Sequence, residues 1–277
     1  MTSPQFRRDL YDGTAEYYDS YRPAYPAELI ENLAARVGAD GTGRLLDLAC
    51  GTGQVSFALR GRFAEIWAVD QEPDMIRVAG QKAGAPGSQV PSGTARLLLV
   101  TSAAEELSAP EQAFGLITIG NAFHRLRRED VAARVLRWLR PGGFLALLWG
   151  GGPNDGDAPW QQVLRATMQR WQHRPGAGER IPAGYDAGRR ARPDAVILRE
   201  AGFEAIGRQE FAFCRRWTAD EIAGFVASTS VLSPAALGSD AAEFSADLRR
   251  ELLACQPDGQ FRQDATFAYD LARRRPG

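Results

Sequence analysis

The chain has 277 residues, 44% of them apolar and 24% charged, with a formal charge of -1 and an isoelectric point near 6.2. This composition supports one large buried core, or one core with an appended subdomain, and excludes a disordered chain. The balanced charge excludes the broad basic face that nucleic-acid binding requires, so the expected partner is a small molecule, with no nucleic acid and no membrane.

The opening segment, MTSPQFRRDLYDGTAEYYDSYRPAYP, carries charges and tyrosines where a secretory signal needs an apolar centre. The longest uninterrupted apolar run, Phe144 to Trp149, is too short to span a bilayer, and a soluble cytoplasmic protein is expected. Cys50, Cys214 and Cys255 are odd in number and widely separated, which predicts reduced thiols and no metal site.

In chain order, residues 1–40 read as a helical segment, with a helix from Pro26 to Val37. Leu-rich or β-branched runs at 44–49, 65–70, 95–102, 114–120 and 142–150 then alternate with helical patterns at Gly53–Arg62, Pro73–Gln81 and Glu129–Leu139. That alternation predicts an α/β fold, a parallel sheet with helices on both faces. The cluster Pro141-Gly142-Gly143 is expected to end the third of these helices and turn the chain into the fifth strand. Beyond Gly150, GGPNDGDAP reads as a loop, Trp160–Trp171 as a helix and the Gly/Pro/Arg-rich stretch 173–194 as a surface segment. A second regular block follows, with a helix at Asp194–Ala201, a strand at 203–213, helices at 218–228 and 239–254 and a last strand at 262–271.

The chemistry concentrates at LLDLACGTGQVSFAL, residues 45–59, where a strand meets two glycines and a helical pattern. A Gly-Thr-Gly turn alone is weak evidence, since any α/β fold wants glycine at a sharp turn. A Walker phosphate loop is excluded by the missing Gly-Lys-Ser/Thr ending, and the dinucleotide fingerprint fails because Ser56 stands at its third glycine. Asp70 ends the next strand about twenty residues on, where a carboxylate can accept hydrogen bonds from both ribose hydroxyls. Asp47, inside the first strand, suits a ligand that carries an ammonium group. A ribose joined to a cationic amino acid describes S-adenosylmethionine.

At these residues the chain resembles the class I S-adenosylmethionine-dependent methyltransferases, and within them the small-molecule, type 11-like branch. The resemblance rests on LLDLACGTG, VDQEPDMI, TSAAEEL, GNAFH and LRPGGFLAL, covers about residues 9–150, and extends more loosely to REAGF and WTADEI. It implies a Rossmann-like, doubly wound, mostly parallel seven-stranded sheet with an antiparallel last strand and a helical cap over the substrate site. The chain would divide into a lid segment (1–40), a cofactor-binding core (41–150) and the rest of the sheet with its inserted cap (151–277), as one structural domain.

The resemblance also assigns roles. Asp47 and the backbone of Ala49 to Gly53, with Gly51 between, would hold the methionine end, Asp70 the ribose, Gln71 and Met75 the adenine face, and Ala103 with Ala104 the adenine edge. Gly120 and Asn121 would lie beside the amine and the sulfonium. Ala103 departs from the family's adenine-edge acid, and Arg125 stands where a tryptophan often follows the histidine.

Methyl transfer needs orientation and a deprotonated nucleophile more than it needs acid–base groups. His124, near Asn121, is expected either to bind the acceptor or take its proton, or to make a structural hydrogen bond. Arg125 would contact an acidic group or be solvated. Tyr11 and Tyr18 are expected to line the reaction site, and Tyr21 or Arg22 to approach the cofactor carboxylate. Phe123, Trp149 and Trp160 would wall an acceptor pocket capped by helices bearing Ser228 and Ser230. His173, Arg189, Arg190 and Arg192 read as solvated surface or as a lid over an anionic substrate.

The expected activity is methylation of an amine or hydroxyl of a small polar molecule, such as an amino-sugar or glycosylated intermediate of secondary metabolism. An NAD-dependent oxidoreductase and a non-catalytic S-adenosylmethionine-binding module are the alternatives. Oligomeric state is not indicated by these residues.

Overall fold

Leu45, Leu46 and Leu48 are all fully buried, as required of a strand covered on both faces. Their alternation sorts them: Leu46 and Leu48 join one core cluster, while Leu45 joins the cluster on the opposite face. The computed structural model describes residues 9–85, 95–174 and 191–277.

These residues form one seven-stranded sheet from β1 (Arg44–Leu48), β2 (Glu65–Asp70), β3 (Arg96–Thr101), β4 (Phe114–Gly120), β5 (Leu139–Trp149), β6 (Phe203–Trp217) and β7 (Phe261–Arg274). The strand order is β3-β2-β1-β4-β5-β7-β6. β1 to β5 pair in parallel, and β7 runs antiparallel to both β5 and β6. Strand order reverses between β1 and β4, so their carboxyl ends open a crevice where ligands of such sheets bind.

The helices α1 (Ala15–Tyr21), α2 (Ala27–Arg36), α3 (Gln54–Ala58), α4 (Pro73–Gly84), α5 (Arg128–Trp138), α6 (Pro159–Gln172), α7 (Asp194–Ala201), α8 (Ala219–Ala227), α9 (Pro234–Leu237) and α10 (Ala241–Cys255) connect the strands. On one face Val131, Val135 and Trp138 of α5 and Ile197 and Leu198 of α7 pack on Ile117 and Ile119 of β4. On the other, Leu29 and Leu33 of α2 meet Leu45, Leu116 and Leu148. A third core joins α6, α8 and α10 around Trp171 and Leu248, and Trp217 at the end of β6 and Phe261 at the start of β7 tie this cap to the sheet. Thr218 opens α8 with a reciprocal cap, its Oγ1 accepting from Glu221 N (3.2 Å) and its N–H donating to Glu221 Oε2 (2.8 Å).

Several boundaries differ from expectation: α4 runs on to Gly84, β6 to Trp217 and β7 to Arg274. β5 begins at Leu139, not after Gly143, because the breaker cluster forms an irregularity inside the strand, where the pairing register with β4 shifts between Phe114 and Leu116. Gly143 is required there: a Cβ would sit 2.9 Å from the Arg140 carbonyl oxygen and 3.1 Å from that of Phe114. The expected helix from Gly53 is short, giving way to a 3-10 turn at Arg60–Arg62. Among the described residues no helix is long and apolar enough to cross a membrane.

Candidate active site

The parallel register places Asp47 of β1 opposite Thr118 of β4. Thr118 Oγ1 donates to Asp47 Oδ1 (2.8 Å), while Ser56, in the first turn after the glycine loop, donates its hydroxyl (2.6 Å) and its backbone N–H (3.1 Å) to Oδ2. Asp47 is 1% exposed, and burial pushes its carboxyl up to about 6 against the pull of these bonds. Among the described residues it makes no ion pair with a cationic side chain.

The following turn is tight. Ala49 (φ 53°), Gly51 (φ 56°) and Gly53 (φ 85°) are left-handed. A Cβ on Gly53 would also lie 2.7 Å from the Phe57 ring. Gly51 N–H donates to Asp70 Oδ2 (2.8 Å) and Glu72 N–H to Oδ1 (2.9 Å), aiming the Asp70 carboxylate across the mouth of the turn. Burial raises the Asp70 carboxyl above its ordinary value, opposed by these N–H groups. Glu72 is likewise buried, its carboxyl pushed up to about 7, and its Oε1 accepts from Tyr11 N–H (3.2 Å).

Two adjoining cavities open at this edge. The first, about 90 Å³, is lined by Asp70, Gln71, Met75, Ser102, Ala104 and Leu126 among others. The second, about 260 Å³, reaches from Asp47 and Val55 past His124 to Asn154, Asp155 and Phe225. Tyr11, Tyr18, Ala49, Gly120, Asn121 and Arg125 line both and so stand at their junction. Asn121 is left-handed (φ 49°), its N–H donating to Leu148 O (2.7 Å) and its Nδ2 to Gly150 O (3.3 Å). Strain at a non-glycine residue beside a cavity is a mark of functional positioning.

α1 lies across the opening. Arg22 Nε donates to Ser228 Oγ (2.8 Å) and Nη2 to Ser228 O (3.2 Å), with the guanidinium over the rings of Tyr18 (4.9 Å) and Phe225 (4.4 Å). Burial pushes the Tyr18 phenol above its usual range. His124 Nε2 accepts from Arg125 Nε (3.3 Å), and its ring stacks on Trp149 at 6.1 Å. A guanidinium only donates, so this nitrogen carries no proton in that arrangement.

The structure brings Asp47, Ala49, Gly51, Asp70, Gln71, Met75, Ala104, Gly120, Asn121, Tyr11, Tyr18, Arg22, His124 and Arg125 to the two cavities. It does not bring all the expected residues there. Tyr21 stacks on Tyr17 and lies over Gly224, where a Cβ would be 2.4 Å from its ring, so it is a packing residue of the lid–cap contact. Trp160 is buried in the cap core against Phe261 and donates to Arg262 O (3.2 Å). Phe123 is fully buried under the sheet's α5 face. Trp149 backs His124 instead of lining the cavity, its indole N–H donating to Asp270 Oδ2 (2.6 Å). Ser228 is buried behind Arg22. Ser102 and Ala104 line the smaller cavity, Ala103 between them does not, and Gly53 serves as the N-cap of α3.

Sequence reasoning missed Tyr25, Gln54, Asn154, Asp155 and Thr229 on the larger cavity. For Asn154 and Asp155 the signal was the Gly-rich loop after β5, at the carboxyl edge where ligands bind. Arg189 and Arg190 lie outside the described residues. Arg192 pairs with Glu129 and Glu200, and His173 caps α6 by bonding Gln169 O.

The acceptor set fits a nucleoside bearing an amino acid: a buried carboxylate aimed across the smaller cavity for hydroxyls, and a second one, with no cationic partner among the described residues, facing the larger. Fold and site together support a class I S-adenosylmethionine-dependent methyltransferase. Residues 45–143 match the family model described as a methyltransferase domain. The chain is 28% identical over 256 residues to an uncharacterized methyltransferase of Mycobacterium tuberculosis strain H37Rv, spanning 91% of this chain and 89% of that one. It is 36% identical over 130 residues to the demethylmenaquinone methyltransferase of Thermus thermophilus, spanning 46% of this chain and 55% of the relative. A solved structure described as a putative type II methyltransferase from Anaeromyxobacter dehalogenans shares the fold, with a TM-score of 0.61 at 23% identity over 93% of this chain and 100% of that one. S-adenosylmethionine is thus the cofactor, in place of the nicotinamide that the Gly-Thr-Gly turn left open.

Proposed function

We propose that this chain methylates an amine or hydroxyl of a small polar molecule, with an amino-sugar or glycosylated intermediate of secondary metabolism as the substrate class. The observation that carries the reading is the pair of adjoining cavities joined at Tyr11, Tyr18, Asn121 and Arg125. One has the carboxylate for a ribose, and the other runs from the Asp47 carboxylate to an end rich in side-chain hydrogen-bonding groups. An acceptor seated against Asn154, Asp155, His124 and Thr229 would meet polar side chains in a cavity of about 260 Å³, which suits a compact, hydroxylated molecule.

Asp47 would hold the cofactor's ammonium, Asp70 its ribose hydroxyls, Gln71, Met75 and Ala104 its adenine, and Arg22 its carboxylate. The bound cofactor supplies an activated methyl group on a sulfonium. The chain's own part is to orient the acceptor and exclude water: α1 covers the junction, and Tyr11 and Tyr18 present aromatic surface there. His124 would bind the acceptor. An amine suits this site as acceptor, since it reacts through its lone pair and needs no strong base.

The test is turnover of methyl-labelled S-adenosylmethionine against a panel of amino sugars, aminoglycosides and hydroxylated glycosides. Label transferred to an amino or hydroxyl sugar derivative, with stoichiometric S-adenosylhomocysteine, supports the reading. Transfer confined to quinones or lipids would contradict the substrate class, and cofactor binding without turnover would favour a binding module.

A further inference from the structure

Lys82 is the only lysine in the chain, against a background of arginines. It stands in the last turn of α4, on the helix face formed by Met75, Val78, Ala79 and Lys82, at the i, i+3, i+4, i+7 spacing of one stripe. α1 presents a facing stripe, Ala15, Tyr18 and Asp19. The apolar parts of the two stripes pack together, Ala15 against Met75 and Val78 with Tyr18 beside them. Their polar ends meet over the glycine turn.

The geometry at that meeting point is specific. Lys82 Nζ donates to Asp19 Oδ1 (2.6 Å) and to the backbone carbonyl of Thr52 (3.1 Å). Thr52 Oγ1 donates to the same Asp19 oxygen (2.9 Å), and Gln54 Nε2 donates to Thr52 Oγ1 (2.9 Å). The ammonium also lies 5.1 Å from the centre of the Phe57 ring, the ring that fills the space beside Gly53. Thr52 is fully buried and sits between the two left-handed glycines of the turn. Its carbonyl and hydroxyl are therefore both engaged by one ion pair contributed from outside the turn.

From this we infer that Lys82 and Asp19 are positioning residues for cofactor binding: they latch the lid helix to the middle residue of the Gly-Thr-Gly turn. The inference rests on the S-adenosylmethionine reading of that turn. An ordinary surface ion pair contributes little. This one differs because its loss leaves a buried carbonyl without its lysine donor and frees α1 from the loop it covers. Closing the lid and setting the direction of the loop amides then become one event, and ligand binding at the turn tightens the latch.

The test compares wild type with Lys82→Met, Lys82→Arg and Asp19→Asn by calorimetric titration with S-adenosylhomocysteine. Lys82→Met and Asp19→Asn are expected to weaken binding about tenfold or more, and Lys82→Arg to recover most of the loss, since a guanidinium can reach the same two acceptors. In parallel, lysine-directed acylation followed by peptide mass spectrometry reads the single lysine. Its acylation should slow when wild type is saturated with S-adenosylhomocysteine, and should be faster and insensitive to ligand in Asp19→Asn. Wild-type affinity in Lys82→Met, or an Arg variant as weak as the Met variant, would overturn the latch while wild type still binds. Failure of wild type itself to bind would instead refute the cofactor reading, and the latch with it.

Discussion

Asp47→Asn separates stability from function at the centre of the site. Burial moves this carboxyl from an ordinary 3.8 to about 6, a difference worth about 3 kcal/mol between its protonated and charged forms. Between these two values the folded chain holds a proton that the unfolded chain has released. Stability from this group is therefore full below 3.8 and is lost as pH rises through about 6. Asparagine keeps the shape: its oxygen can accept both bonds from Ser56 and its amide can donate to Thr118 Oγ1, at the cost of the acceptor of the Thr118 hydroxyl hydrogen. In urea unfolding without ligand, the variant should be more stable than wild type at about pH 8, by up to about 3 kcal/mol, with the difference vanishing near pH 4. Asp70 and Glu72, whose carboxyls are also raised, remain in both proteins, so the difference isolates Asp47. The same variant should bind S-adenosylmethionine about 10- to 100-fold more weakly, having lost its charge-assisted partner for the ammonium. Its affinity for methylthioadenosine, which lacks the amino-acid moiety, should be unchanged. A variant less stable than wild type at both pH values, or one that loses both ligands equally, would refute the assignment.

Three further outcomes follow from the geometry. Asp70→Ala should lower affinity for S-adenosylhomocysteine and for adenosine alike, by about 100-fold or more, because the turn amide at Gly51 loses its acceptor together with the ribose; near-normal calorimetric affinity would remove the ribose role. His124→Ala should leave cofactor affinity within about twofold while slowing methyl transfer in single-turnover assays, and an unaltered rate would make the ring structural. Gly224→Ala places a Cβ 2.4 Å from the Tyr21 ring and should cost about 1–3 kcal/mol in urea unfolding. Tyr21→Ala in the same chain should recover part of that loss, and additivity of the two would contradict the lid–cap contact.

The centre of the sheet was legible because β1, β4 and the later half of β5 are buried on both faces. Runs such as RLLDLA and FGLITIG have no solvent side to disguise them, and the chemistry-bearing residues sit at fixed offsets from their carboxyl ends. Asp47 and Asp70 could be placed at the cofactor edge for that reason. Aromatic residues were less legible. Trp160 and Phe123 have the composition of a pocket wall and of a core alike, and only tertiary packing sends them inward. Tyr21 and Tyr25 are four residues apart, but α1 ends between them at Arg22, so helical spacing does not predict that Tyr25 lines the cavity while Tyr21 packs on Gly224. The start of β5 was displaced because glycines that usually stop structure can also form an irregularity within a strand, and only pairing with β4 decides between the two.

The central claim, that the two carboxylates at the ends of β1 and β2 hold S-adenosylmethionine, is tested most directly by separate calorimetric titrations of the purified protein with S-adenosylmethionine, S-adenosylhomocysteine and NAD. Saturable, micromolar binding of the first two with no heat from NAD is the predicted result. Binding of NAD alone, or of none of the three, would contradict it.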